Sequence, residues 1–256
     1  MKRLVVIATC YLTMIGGFSS CAYAHFPWIN ADNYSPEPGD SIYITIGWGH
    51  RYPLGRLLMK DNLDSLVLIN PDGKEEALFP VSDQAFCPET NFSAPGLYIV
   101  SAKRKTGFWT KTTEGGKRQS KEGLSNVIKC FRSHMNAKAL INVGKGKRLM
   151  KNRVGHALEI VPLINPAELR VGDYLPLQVF LNGKPYSDKL YATYMGFSTD
   201  KDVFAYTTKT DSQGKGRIRI LKPGIWLIKV EHQRPYPDKD VCDVESFIST
   251  LTLEVK

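Results

Sequence analysis

The feature that most limits the folds open to this chain is an apolar alternation of period two. It recurs in short runs closed by glycine, proline and asparagine. Ile42, Ile44 and Ile46 alternate with Tyr43 and Thr45; Leu66-Val67-Leu68-Ile69 runs into Asn70-Pro71-Asp72-Gly73; Leu97-Tyr98-Ile99-Val100 follows Ala94-Pro95-Gly96. Such runs between turn residues read as strands. The second half repeats the style at 157–163, at 175–181 ending on Asn182-Gly183, at 217–221, at 225–230 after Pro223-Gly224, and at 247–255. No helical period of 3.6 persists beyond the first 24 residues, so the predicted class is all-β. A hydrophobic content of 43% with 21 Gly and 15 Pro in 256 residues suits a globular chain rather than a disordered or collagen-like one.

The first 24 residues read as a secretory signal. Lys2 and Arg3 precede an apolar run from Leu4 to Phe18, and Ala22-Tyr23-Ala24 is an A-x-A cleavage site. The run is broken by Thr9, Thr13 and Gly16-Gly17, too short and interrupted for a membrane span. Cleavage makes His25 the new N-terminus. A competing reading takes Phe18-Ser19-Ser20-Cys21 as a degenerate lipoprotein box with Cys21 lipidated, but Phe stands where Leu is usual. Either reading exports the protein, and the expected compartment is the periplasm.

Two turn-and-strand phrases recur in order. Pro38-Gly39-Asp40 is matched by Val171-Gly172-Asp173, and Pro95-Gly96-Leu97-Tyr98-Ile99 by Pro223-Gly224-Ile225-Trp226-Leu227. They predict two similar β-sandwiches, immunoglobulin-like or transthyretin-like, joined by the basic, glycine-containing stretch Lys145 to Arg153. The expected domains are 25–153, with a basic loop region at 103–153, and 154–256.

Charge is concentrated in that loop region. Residues 103–153 hold 15 basic and 2 acidic side chains, against 4 and 10 in 25–102 and 13 and 13 in 154–256. In an exported protein nucleic acid is not the expected partner, which leaves solvated loops, the simpler reading, or contact with an anionic membrane or partner. Beyond the signal, Cys87, Cys130 and Cys242 remain. Three cysteines without a C-x-x-C spacing suggest neither a zinc knuckle nor a redox pair; an oxidising compartment permits one disulfide among three pairings, Cys87–Cys130 being one.

Longer motifs point to a family. His25-Phe26-Pro27-Trp28 after Ala24, Gly47-Trp48-Gly49-His50, and Gly155-His156-Ala157-Leu158-Glu159-Ile160-Val161-Pro162 with Asn165-Pro166 resemble the bacterial domain-of-unknown-function 4198 family. The likeness continues through Gly172, Gly183-Lys184-Pro185, Thr210-Asp211 with Gly214, and Pro223-Gly224 with Trp226-Leu227. The resemblance implies a secreted β-sandwich protein associated with nickel or cobalt uptake. The stretch from Gly183 to Gly224 also looks like the small transthyretin-like sandwich, a module usually without a catalytic role.

Histidines are the candidate ligands. An N-terminal His25 offers its α-amino group and Nδ1 as a chelate, and one further imidazole completes a three-nitrogen set suited to Cu(II) or Ni(II). His50 leaves the strand of Ile42 to Ile46 in a glycine-rich loop that presents an imidazole. His156 and Glu159, three apart in a predicted strand, are expected on opposite faces, with His156 turned toward the first domain. His232 is expected at a strand end, and His134 stands beside Met135. The expected metal set is His25, His50, His156 and His232, for Ni or Co first and Cu or Zn as alternatives.

Catalytic signatures are missing from the sequence: it contains no G-x-S-x-G, P-loop, dinucleotide fingerprint or H-E-x-x-H. Trp28, Trp48, Trp109 and Trp226 suit a sugar platform or, more simply, sandwich cores. The leading expectation is therefore a non-enzymatic, extracytoplasmic metal-binding protein that serves a membrane metal-uptake transporter. A copper-dependent oxidase built on the same chelate is the alternative. A purely structural or adhesive sandwich protein would scatter its histidines, with no two imidazoles sharing a site.

Overall fold

The computed structural model describes residues 25–84, 86–145 and 153–256. The signal segment, Cys21 and most of the expected linker lie outside the described residues.

The chain is nearly all β, and its strands make three sheets. The middle sheet has ten strands, ordered β15 (Tyr206–Lys209), β14 (Lys189–Tyr194), β17 (Gly224–Pro235), β18 (Val244–Val255), β10 (Val127–Val143), β7 (Gly96–Arg104), β4 (Leu63–Ile69) and β5 (Glu75–Ala77). Onto β10 is added β8 (Gly107–Thr112), which carries β9 (Gly115–Lys117). One outer sheet joins β1 (Phe26–Ala31), β2 (Ser41–Gly49), β3 (Arg56–Leu57) and β6 (Phe86–Asn91). The other joins β11 (Leu158–Pro162), β12 (Tyr174–Leu181), β13 (Lys184–Pro185) and β16 (Lys215–Arg219).

The outer sheets cover opposite faces of the middle one. Along β7, Tyr98, Val100 and Ala102 pack with Ile42, Ile44 and Ile46 of β2, while Leu97 and Ile99 pack with Leu158, Ile160 and Leu177 of β11 and β12. A strand covered on both sides cannot alternate apolar with polar, which is why Leu66–Ile69 and Leu97–Val100 are continuous apolar runs whereas β2 alternates. The expected pair of sandwiches therefore takes the form of two sandwiches sharing their middle sheet. β10 and β18 run parallel, with His134 opposite Phe247 and Ala139 opposite Thr252, so the ladder joins the two sequence halves directly.

The basic region expected as loops, 103–153, is largely strand. β8, β9 and the whole of β10 lie in it. The reason is visible in Thr110 and Thr112, buried between exposed Trp109 and Lys111, and in buried Ala137, Ala139, Ile141 and Val143. The lysines that alternate with them, Lys111 outward in β8 and Lys138 buried against Glu159 in β10, do not prevent a strand from forming. The disulfide also differs from the pairing considered first: Cys130 of β10 bonds Cys242, with Cα atoms 5.0 Å apart.

β1 places the residue after the expected cleavage site. It pairs with β2 from Phe26 opposite Gly49 to Ala31 opposite Ile44. Two β18 hydroxyls hold it to the middle sheet: Thr250 Oγ1 donates to the Pro27 carbonyl at 2.7 Å and Thr252 Oγ1 to that of Ile29 at 2.8 Å. Trp28 is fully buried across from Gly47, and a Cβ on Gly47 or Gly55 would overlap its indole. These glycines are the seat of the tryptophan, and truncating so buried an indole costs about 3–5 kcal/mol.

Candidate metal centre

His25 stands at the start of β1, and His50 follows the last residue of β2, its ladder neighbour. Antiparallel pairing brings the two together, with Gly49 (φ +154°) turning the chain out of the strand. The imidazole centroids are 4.4 Å apart at a 48° tilt, and His25 also lies parallel to Trp48 at 5.6 Å. His25 is exposed, while His50 and Trp48 are half-buried.

A residue from the other half of the sequence orients His50. Its Nδ1 lies 3.1 Å from one Asp202 carboxylate oxygen and 3.2 Å from the other, and the Asp202 backbone nitrogen donates to the His50 carbonyl at 2.9 Å. A carboxylate only accepts, so Nδ1 carries the proton and Nε2 is the nitrogen left for a ligand. Asp202 has φ +56°, a left-handed conformation that Asp and Asn tolerate better than other side chains. Partial burial lowers the pKa of His25, reinforced by His50, Arg56 and Lys201 and opposed by Asp202. A neutral imidazole, the form that binds metals, is thereby favoured.

Beside Phe26, the residue after His25, lies a buried cation. The Lys229 ammonium sits 4.9 Å from the Phe26 ring centre and 5.6 Å from those of Tyr191 and Phe204, and it pairs with Glu231 at 2.9 Å. Phe26, directly after His25, thus packs against Lys229 and Phe204, and Phe204 comes from the loop that carries Asp202. That packing fixes the histidine pair from both halves of the chain.

The other expected ligands sit elsewhere. His156 is buried against the opposite face of the middle sheet, its Nε2 2.9 Å from Ser101 Oγ and its Nδ1 without a hydrogen-bond partner. Burial, with Lys138 and Lys103 nearby, pushes its pKa down to about 3. The expectation that Glu159 points away from it is corrected. His156 precedes β11 in an irregular segment where Gly155 has φ +77°, so strand alternation does not apply. Glu159 also turns inward, accepting from Lys138 Nζ at 2.8 Å and from the backbone nitrogens of Val154 and Gly155.

His232 lies within β17 rather than at its end. Its Nδ1 is 2.5 Å from Tyr186 Oη, and its ring stacks at 6.1 Å on Phe247, whose other neighbour is His134 at 4.7 Å. His134 Nε2 meets Glu245 at 2.9 Å. The register His134, Phe247, His232 across three strands interposes an aromatic ring between the imidazoles. Of the five histidines only His25 and His50 have their imidazole rings next to each other. Among the described residues no group of three or more His, Cys, Asp or Glu side chains is arranged to hold a metal ion. Side chains at this site thus offer two imidazole rings.

Sequence reasoning did not find Asp202. Its only local signal is Asp200-Lys201-Asp202 in a polar stretch, and nothing there reports a partner 152 positions away. Nor do the tryptophans form a platform: Trp28 and Trp226 are core, Trp48 flanks His25, and Trp109 lies on β8. A small cleft between Tyr34, Asn142, Asn165 and Glu254 has room for about one water molecule.

No curated protein matches the chain. The family model described as a domain of unknown function, DUF4198, matches residues 22–234, a span that contains His25, His50, Asp202 and the packing that joins them, and the chain belongs to that family.

Proposed function

We infer that this is an extracytoplasmic transition-metal-binding protein in which His25 and His50 hold the ion. The observation that carries the reading is the pair of imidazoles 4.4 Å apart, one of them oriented by a carboxylate. A purely structural sandwich has no need to bring two histidines together and to lock the tautomer of one. The Asp202–His50 arrangement is the usual outer support of a histidine ligand, and it leaves Nε2 of His50 for the metal. Cleavage after Ala24 would add the α-amino group of His25, so that three nitrogens face one ion. The Cys130–Cys242 disulfide suits an oxidising compartment such as the periplasm.

Imidazole and amine nitrogen suit Ni(II), Co(II), Cu(II) and Zn(II) alike. The family resemblance favours nickel or cobalt as cargo, delivered to a membrane uptake transporter. Calorimetric titration of protein processed to start at His25, with each of the four ions, tests the reading. Micromolar or tighter binding of at least one ion, lost in His50→Ala, is expected; binding of none below millimolar concentration contradicts it.

The exposed position of His25 beside Trp48 favours a second reading, a copper-dependent oxidase with an accessible copper site. Ascorbate-driven peroxide production by the copper-loaded protein separates the two. Its presence supports the oxidase, and its absence supports carriage.

A further inference from the structure

The basic region builds an arm from β8, β9 and the N-terminal part of β10. Across its ladder Trp109 faces Phe131 and Lys111 faces Lys129, with Gly116 of β9 on the other side of Lys111. Strand alternation therefore sets Trp109, Lys111, Lys129 and Phe131 on one face. The Trp109 indole lies over Gly116, where a Cβ would press into the ring, and its centroid is 6.5 Å from that of Phe131. Trp109 is nonetheless 43% exposed, and Ile128, at the irregularity beside Val127, is 53% exposed. Lys117, paired with Thr110, is exposed on the other side of the arm.

Two of these features work against stability. Like charges directly opposite each other in a ladder repel, and an indole left in water forgoes its burial. Among the described residues no carboxylate lies within 4 Å of Lys111 or Lys129 to relieve them. Asp243, which the Cys130–Cys242 disulfide brings to the arm, is taken by Lys121 at 2.7 Å and by the Cys130 backbone nitrogen at 2.7 Å. The disulfide holds the face in shape, and Asp243 offsets the Lys129 charge only at longer range, beyond ion-pair distance.

We propose that this face docks on an anionic phospholipid membrane, with Trp109 entering the headgroup layer and Lys111 and Lys129 engaging lipid phosphates. Charge complementarity and side-chain chemistry select this occupant. Indoles partition to the headgroup boundary, and flexible lysines on a flat sheet read a diffuse negative surface without needing shaped partners. The proposal is independent of the metal site.

The test is co-sedimentation of processed protein with phosphatidylglycerol–phosphatidylcholine vesicles, with pure phosphatidylcholine vesicles, and with polyglutamate immobilised on beads. Binding to the anionic vesicles alone is expected, with a blue shift of Trp109 fluorescence that Trp109→Phe abolishes, and with release by high salt. Lys111→Gln combined with Lys129→Gln should weaken partition about 25-fold, at about fivefold per lysine. Because both side chains are exposed and mutually repulsive, this variant should unfold no earlier than the parent, which excludes misfolding as the cause. Equal binding to both vesicle types, or no loss in the lysine variant, would overturn the proposal. Retention on polyglutamate as tight as on vesicles would overturn it in favour of an acidic protein partner.

Discussion

The Nδ1 of His50 and the carboxylate of Asp202 lie 3.1 Å apart, and the backbone nitrogen of Asp202 donates to the carbonyl of the same histidine at 2.9 Å. Side chain and main chain are engaged together, so the loop after β14 holds the ring at the end of β2 in a single orientation. The pair is largely shielded, with side-chain exposures of 16% for His50 and 10% for Asp202.

Replacing Asp202 with Asn tests that relationship. Asn accepts the positive φ, so the loop should keep its path, but the charge that holds the Nδ1 proton is lost. Metal affinity should fall by about 10- to 100-fold with an unchanged melting profile. Affinity equal to the parent's in a calorimetric titration would mean that Asp202 does not support a ligand.

His156 makes stability depend on pH. Its folded pKa of about 3 lies below the ordinary 6.5, so below pH 6.5 the unfolded chain takes up a proton that the folded protein refuses. The stabilisation is complete above pH 6.5 and is lost as pH falls from 6.5 toward 3. Between pH 7 and pH 4.5 the loss from this residue is about 2.5 kcal/mol. Urea unfolding at both pH values should show that difference shrinking in His156→Gln; an identical pH slope in variant and parent would contradict the burial argument.

The Cys130–Cys242 bond spans 112 residues and joins the arm to the loop before β18. Replacing both cysteines with alanine should cost about 2–4 kcal/mol of global stability. The loss should be largest locally, in faster hydrogen exchange across 107–130 than in β7 or β17. Uniform exchange throughout the sheet would show that the bond does not fix the arm.

The fold class was legible because period-two alternation is a local signal. Ile42, Ile44 and Ile46 declare a strand without reference to anything else, and β2 buries just those residues on one face. Sharing of the middle sheet was not legible, because whether Leu66–Ile69 faces one covering layer or two depends on chain 90 or more residues downstream. β8 and β10 were hidden by their lysines, whose charge reads as loop although their positions alternate with buried threonine and alanine. At the candidate site, His25 and His50 stand out in the sequence through the A-x-A motif and the glycines around Trp48, while their proximity shows only in the β1–β2 pairing. That His156 lies in the interior against Ser101 and His232 against Phe247, both away from the pair, was not legible, since a packed imidazole is written with the same letter as a ligand.

The most direct test of the account compares three proteins for Ni(II), Co(II) and Cu(II) affinity: one beginning at His25, one with a single glycine ahead of His25, and one with His25→Ala. Side chains offer two imidazoles here; in the proposed site the free α-amino group of processed protein is the third nitrogen, and an added residue turns it into a peptide nitrogen. The account predicts that the extended protein binds at least about tenfold more weakly, about 1.4 kcal/mol, and that His25→Ala binds more weakly still. Equal affinity in all three would remove His25 from the site and contradict the account.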